Sequence, residues 1–218
     1  MSEKNRKLRL EWAKKYVNWN IEQWNNVLWS DESPFLLRYA GRTRVWRLPN
    51  ERYKDFCLKG TVKHDLKINV WGCFTASGVG DLHLIEGNMD HKQYKQILMH
   101  HMVPSISRLF PDPQNCIFQQ DNDPKHTAKV VQNWIHNTRN IQVLPWPSQS
   151  PDLNPIENLW AILDKKLKNR QCRNKDDLLQ CLQDGWESLS PDILTNLVAS
   201  MPNRCREIIK SKGNPIKY

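Results

Sequence analysis

Asn115–Val131 reads NCIFQQDNDPKHTAKVV, and the fold is decided there. NCIFQQ is a short apolar run that predicts a buried strand ending at Asp121. Helical spacing follows over Thr127–Asn137, where Ala128, Val130, Val131, Trp134 and Ile135 recur on one face. Upstream, Asn25–Ser30 (NNVLWS) is a second apolar run, and it too delivers an acid, Asp31, at its end. Phe35–Tyr39 and Thr43–Arg47 read as strands around Gly41. Lys67–Phe74 (KINVWGCF) is the strongest strand signal, and Gly78 and Gly80 turn the chain into another at Asp81–Ile85. Downstream of the decisive stretch, Ile141–Leu144 is one more short strand. Pro145–Pro155 holds four prolines in eleven residues and is a stiff loop. Ile156–Asn169 is a helix, with Leu159, Trp160, Leu163 and Leu167 on one face. The first 24 residues form a basic helix with Leu8, Leu10, Trp12, Ala13 and Val17 as its apolar stripe. Asp90–Leu109, Lys175–Leu189, Asp192–Ser200 and Arg204–Lys212 are also helical. Meandering strands followed by alternating helix and strand predict a mixed sheet with helices on its faces.

Composition narrows the class. The 218 residues allow one large domain or two small ones. With 39% hydrophobic and 25% charged residues the chain is neither disordered nor fibrous. No apolar run approaches the roughly 20 residues of a membrane span, and the N-terminus is no signal peptide. Lys and Arg number 32 against 23 for Asp and Glu, a net charge of +9, which favours a polyanionic partner, nucleic acid first. Cys57, Cys73, Cys116, Cys172, Cys181 and Cys205 are scattered without zinc spacing, and read as reduced structural residues.

The chemistry lies in three acids. Asp31 and Asp121 end strands, and Glu157 opens the helix after the proline loop, where Pro155 suits the first turn. Alone, each acid has a bland reading, a turn or cap for the aspartates and helix capping for the glutamate. Together they flank apolar elements that should be adjacent in one sheet. Converging carboxylates repel, so they call for cations, and oxygen donors suit Mg²⁺. A pair of such ions can activate an attacking oxygen and stabilise the leaving one in phosphoryl transfer. A basic protein with this site would act on nucleic-acid phosphodiesters. Glu32, Asp123 and Asp152 are alternative ligands by proximity alone.

The strings VLWSDES, RVWR, INVWGCF, QQDNDPKHTAK and WPSQSPDLNPIENLW closely resemble the catalytic domain of mariner-superfamily DNA transposases, nearest the Sleeping Beauty-like branch. The resemblance runs from about Leu8 to the closing GNPIKY. It implies a ribonuclease H-like fold with a mixed five-stranded sheet and a helical C-terminal extension. It implies a catalytic triad of Asp31, Asp121 and Glu157, two Mg²⁺ or Mn²⁺ ions per site, hydrolysis at transposon ends and joining of the 3′-OH to a TA target. It also implies double-stranded DNA as partner, a homodimer on DNA, and a nuclear location. The expected organisation is a basic linker over 1–24, the catalytic core over 25–170 and the extension over 171–218, without the helix-turn-helix region that precedes the domain in the family. The 35 residues of Asn122–Ile156 are one more than that branch usually carries, and the extra residue is expected near His136–Asn140.

The neighbouring residues keep two readings each. Lys125, His126 and Lys129 either approach the DNA backbone or form a solvated helix start. Trp146 either stacks on an exposed base or anchors the loop. Arg44 lies in the basic stretch Gly41–Gly60, which by position corresponds to a hairpin contacting DNA or a partner subunit in the family; the alternative is an ordinary exposed hairpin. Trp29, Trp71 and Trp160 read as core. Two other functions stay open: a transposase-derived DNA-binding module without useful activity, and a nuclease acting on RNA–DNA hybrids.

Overall fold

A computed structural model describes residues 1–36, 67–139, 141–168, 170, 172 and 174–217, with the side chains of residues 138 and 139 outside the description. Five strands are found among the described residues: β1 (Val27–Leu36), β2 (Lys67–Thr75), β3 (Gly78–Ile85), β4 (Ile117–Phe118) and β5 (Gln142–Val143). Their order in the sheet is β3-β2-β1-β4-β5. β1 pairs antiparallel with β2, and β2 with β3, whereas β4 runs parallel to both β1 and β5. The sheet is mixed, as the strand pattern predicted, and its five described strands are as the family resemblance implied.

Pleating splits the apolar residues between two cores, because successive side chains point to opposite faces. Val27, Trp29, Val70 and Phe74 enter one core; Leu28, Trp71 and Cys73 enter the other. β2 is buried on both faces along most of its length, which explains its unbroken apolar reading. The first core is closed by α1 (Glu3–Tyr16), α2 (Ile21–Asn25), α7 (Ile156–Leu167), α8 (Lys175–Glu187), α9 (Pro191–Ala199) and α10 (Met201–Lys210). The second is closed by α3 (His91–Ile97), α4 (Val103–Leu109) and α6 (Lys129–Arg139), with α5 (Pro124–Thr127) leading into α6. Trp29, Trp71 and Trp160 are core residues as expected, at 0%, 1% and 4% exposure. Trp160 stacks on Trp186 with ring centroids 5.1 Å apart.

Several expectations are corrected. Asp31 does not end its strand: β1 continues to Leu36, and Asp31 sits opposite Gly72 in the register. Phe35 and Leu36 thus belong to β1 rather than to a new strand. The first 24 residues hold α1 and the start of α2 rather than one helix; Trp12 and Ala13 of the expected stripe are buried, but Leu8 is exposed and Arg9 is fully buried. The single helix read over Asp90–Leu109 is broken by a π-helical turn at Leu98–Met102, where the Val103 amide donates to the Leu98 carbonyl. Pro104, next in line, has no amide to continue the α ladder. The helix read over Thr127–Asn137 is α5 and α6, parted at Ala128, whose backbone is extended. α6 runs through His136 to Arg139; Asn140 lies outside the described residues, as do Thr43–Arg47, Cys57 and Arg44. The other five cysteines are free thiols.

Gly72 links the sheet to α7. A Cβ there would stand 2.7 Å from Trp160 Cη2 and 3.3 Å from Leu82 Cδ1. Gly72→Ala is expected to cost about 1–3 kcal/mol, the usual penalty for overpacking, read as a lower urea midpoint at unchanged slope.

Candidate active site

Three elements bring the acids to one place. β1 carries Asp31, the loop after β4 carries Asp121, and the first turn of α7 carries Glu157. All three line a cavity of about 440 Å³, together with Asn122, Asp123, Trp146, the loop Pro147–Pro151 and Asn154. Among the described residues, that lining holds four acidic side chains and no basic one.

The acids differ in their surroundings. Burial raises the Asp31 carboxyl well above the usual carboxylate range, and the nearby charges of Glu157, Glu32 and Asp121 add to it. Burial also raises Glu157, with a hydrogen bond accepted from the Asp31 carboxyl pulling the other way. Asp121 is different. Burial pushes it up, but hydrogen bonds from His126 and the Asp123 amide bring it below the ordinary value. Both fall on the same oxygen, Oδ1, at 2.6 Å from His126 Nδ1 and 3.0 Å from the Asp123 amide.

His126 is the bracket behind this corner. It is 3% exposed, and its Nε2 lies 3.0 Å from Glu32 Oε1. Carboxylates only accept hydrogen bonds, so a ring wedged between two of them carries both protons. Burial alone would lower the His126 pKa, but the Asp121 and Glu32 contacts raise it to about 9. Tyr94 lies against the ring, centroids 4.0 Å apart, and donates its own hydroxyl to Gln120 Oε1 at 2.8 Å. Lys125 pairs with Asp123 at 2.7 Å and Glu32 at 3.5 Å.

This geometry bears on the open readings. His126 is not a solvated helix start, because it is buried and both ring nitrogens face carboxylates of the protein. The Lys125 ammonium is turned toward acids, and Lys129 is exposed. Trp146 is partly buried, edge-on to Trp12 at 5.1 Å and to Trp29 at 6.0 Å, so it anchors the loop while lining the cavity. Of the alternative ligands, Glu32 is held by His126 and Lys125, and Asp152 by Arg9 at 2.6 Å; Asp123 lines the cavity but caps α5 and pairs with Lys125. Sequence reasoning missed Asn154. It is 3% exposed, and its Nδ2 donates to the Ser30 carbonyl at 3.2 Å and to Asp31 Oδ2 at 3.3 Å. Its only sequence signal was an Asn ahead of a proline-started helix.

Among the described residues no three His, Cys, Asp or Glu side chains form a closed coordination shell. The acids share one cavity, and Asp121 faces His126 within it. Their chemistry nonetheless fits a hard divalent cation. Among the described residues, hard oxygen donors converge without a basic residue in the lining, and Asp31 and Glu157 are pushed toward protonation by burial and, for Asp31, by neighbouring acids.

Residues 26–179 match the family model described as DDE superfamily endonuclease. The whole chain aligns with the transposable element Tcb1 transposase of Caenorhabditis briggsae at 41% identity, over 80% of that protein. It aligns equally completely with the Tc1 transposase of Caenorhabditis elegans, at 39% identity and again over 80%. The chain is a mariner-superfamily DDE transposase catalytic domain. In solved structures, the transposase domain superimposes on the Mos1 mariner transposase catalytic domain with a TM-score of 0.79 at 18% identity, over 98% of that chain. It also matches the Mos1 paired-end complex with Mn at a TM-score of 0.83 and 20% identity, covering 65% of that chain. The transposase domain thus spans about two thirds of the Mos1 chain in such assemblies. These structural matches confirm the ribonuclease H-like fold.

Proposed function

We propose that the chain cuts phosphodiester bonds at transposon ends and joins the freed 3′-OH to a TA target, as the catalytic part of a cut-and-paste transposase. The observation that carries this reading is the acid-lined cavity, in which strand β1, the loop after β4 and helix α7 each supply one carboxylate. Asp31, Asp121 and Glu157 would hold two Mg²⁺ or Mn²⁺ ions, which supply Lewis-acid activation of the attacking oxygen and stabilisation of the leaving one. The relatives' names and the metal-bearing Mos1 complexes support this chemistry. Within the chain, His126 fixes one oxygen of Asp121, and Asn154 fixes Asp31. Trp146 and the stiff loop Pro147–Pro151 wall the cavity on one side. The net charge of +9 offsets DNA phosphates around a negative centre. Two copies would pair two ends on the DNA, and chromosomal DNA as substrate places the work in the nucleus.

The test supplies the purified chain with Mn²⁺, DNA bearing terminal repeats and a TA-containing plasmid. Mn²⁺-dependent cutting and joining to the plasmid are expected, with or without preference for the terminal repeats; correctly folded protein that does neither would refute the reading. Mg²⁺ or Mn²⁺ is also expected to stabilise the fold by about 2.7 kcal/mol at a hundredfold excess over its dissociation constant, seen as a raised melting temperature.

A further inference from the structure

The loop that completes the cavity is locked from behind by a buried arginine. Arg9, in the middle of α1, is fully buried. Its guanidinium donates to both carboxylate oxygens of Asp152, at 2.7 Å and 2.6 Å. It also donates to the carbonyl oxygens of Gly213 at 3.1 Å, Gln149 at 3.4 Å and Asn214 at 3.4 Å. Asp152 Oδ2 additionally accepts from the Ile216 amide at 2.9 Å, so α1, the loop and the C-terminal tail meet on one ion pair. The loop is strained where the lock holds it: Gln149 has a φ of 55°, a left-handed conformation unusual outside glycine. Asn5, also on α1, donates to Gln149 Oε1 at 2.9 Å.

We propose that Arg9 is a positioning residue for the catalytic cavity, acting through Asp152. The path is short. Asp152 lies in the 3₁₀ turn Pro151–Leu153, whose next residue, Asn154, donates to Asp31. The Asn154 carbonyl accepts from the Glu157 amide at 3.3 Å. Fixing Asp152 therefore fixes the spacing of Asp31 and Glu157, and a carboxylate displaced by about 1 Å can cost as much as a hundredfold in rate. The pair's value to stability is a separate matter, because a buried ion pair exchanged for apolar residues of similar size often leaves stability unchanged.

The inference rests on the proposed reaction, and the double variant Arg9→Met/Asp152→Leu in the full chain separates the two. Three readouts are taken: thermal melting, Mn²⁺ binding by calorimetry, and Mn²⁺-dependent nicking of supercoiled DNA. The variant is expected to melt within a few degrees of the wild type. Its kcat should fall about tenfold or more at unchanged KM for DNA, with weaker Mn²⁺ binding. A folded double variant with wild-type kcat and Mn²⁺ affinity overturns the proposal. If the double variant does not fold, Arg9→Lys, which keeps the charge but loses the paired donors, decides the matter. An intermediate fall in kcat supports the role, and wild-type kcat overturns it. A wild-type chain that binds Mn²⁺ but cuts nothing counts against the reaction itself, and the Mn²⁺ affinities of the variants then decide the role of Arg9.

Discussion

Asp31→Asn is expected to abolish strand cutting and to raise the melting temperature of the metal-free protein. Cutting should fall at least about a thousandfold, because a proposed cation ligand at the proposed reacting centre is lost. Stability moves the other way. Burial and the charges of Glu157, Glu32 and Asp121 disfavour the Asp31 carboxylate. Its pKa is raised in the folded state, so the charged group destabilises the fold above that pKa, and the penalty fades as pH falls through it. The amide removes the charge while still accepting one of the two hydrogen bonds now made by the Glu32 amide and Asn154. A gain of about 2–4 °C is expected at neutral pH, which is what about 1 kcal/mol makes in a chain of this size. The gain should shrink in acid, and Mg²⁺ should stabilise the variant far less than the wild type. Thermal melts across pH, with and without Mg²⁺, check all three; a variant no more stable than wild type in metal-free buffer would contradict the electrostatic account.

His126→Leu is expected to damage both stability and activity. It removes the group between Asp121 and Glu32 and leaves two partly buried acids without their shared donor. Taking the buried partner from this arrangement costs about 1–3 kcal/mol, less than for a fully buried pair because the Asp121 side chain is half exposed, measured as a lower urea midpoint. Cutting should fall about a hundredfold or more, since Asp121 loses its fixed orientation. The wild type also acquires a pH signature. The folded pKa of about 9 lies above the unfolded value near 6.5, so the His126 contribution is complete below about pH 6.5 and is lost as pH rises through 9. Metal-free wild type should lose about 3 kcal/mol across that window, because each tenfold difference in proton affinity between the folded and unfolded chain is worth about 1.4 kcal/mol. Urea melts between pH 6 and 10 read this loss as the difference between wild type and His126→Leu, because the buried thiols of Cys73, Cys116 and Cys205, pushed up to about 12, weaken both proteins at the alkaline end.

The sheet and the positions of the acids were legible because they depend on local patterns. An apolar run ending in Asp121, and a proline loop ending in a helix with Glu157 in its first turn, are readable from a few residues. What was misread depends on contacts across the chain. Ser33 and Pro34 look like strand breakers, yet they pair with Val70 and Asn69. Within β1, β4 pairs with Val27 and Leu28 alone, so among the described residues the far half of β1 pairs on one side and tolerates a proline without an amide. Arg9 looked like a surface charge because its partner lies 143 residues away. Asn154 shows nothing locally of its contact with Asp31, 123 residues earlier. His126 looked solvent-facing beside Lys125 until Glu32, 94 residues upstream, was placed against it.

Asp31, Asp121 and Glu157 should act as one metal-dependent cutting centre. The most direct measurement is Mn²⁺-dependent nicking of supercoiled DNA, with wild type beside Asp31→Asn, Asp121→Asn and Glu157→Gln. Wild type should nick, and each folded variant should fall to background. Any one variant that keeps more than about a tenth of the wild-type rate would show that its carboxylate lies outside the reacting centre, since losing even a single transition-state contact there costs at least about a hundredfold.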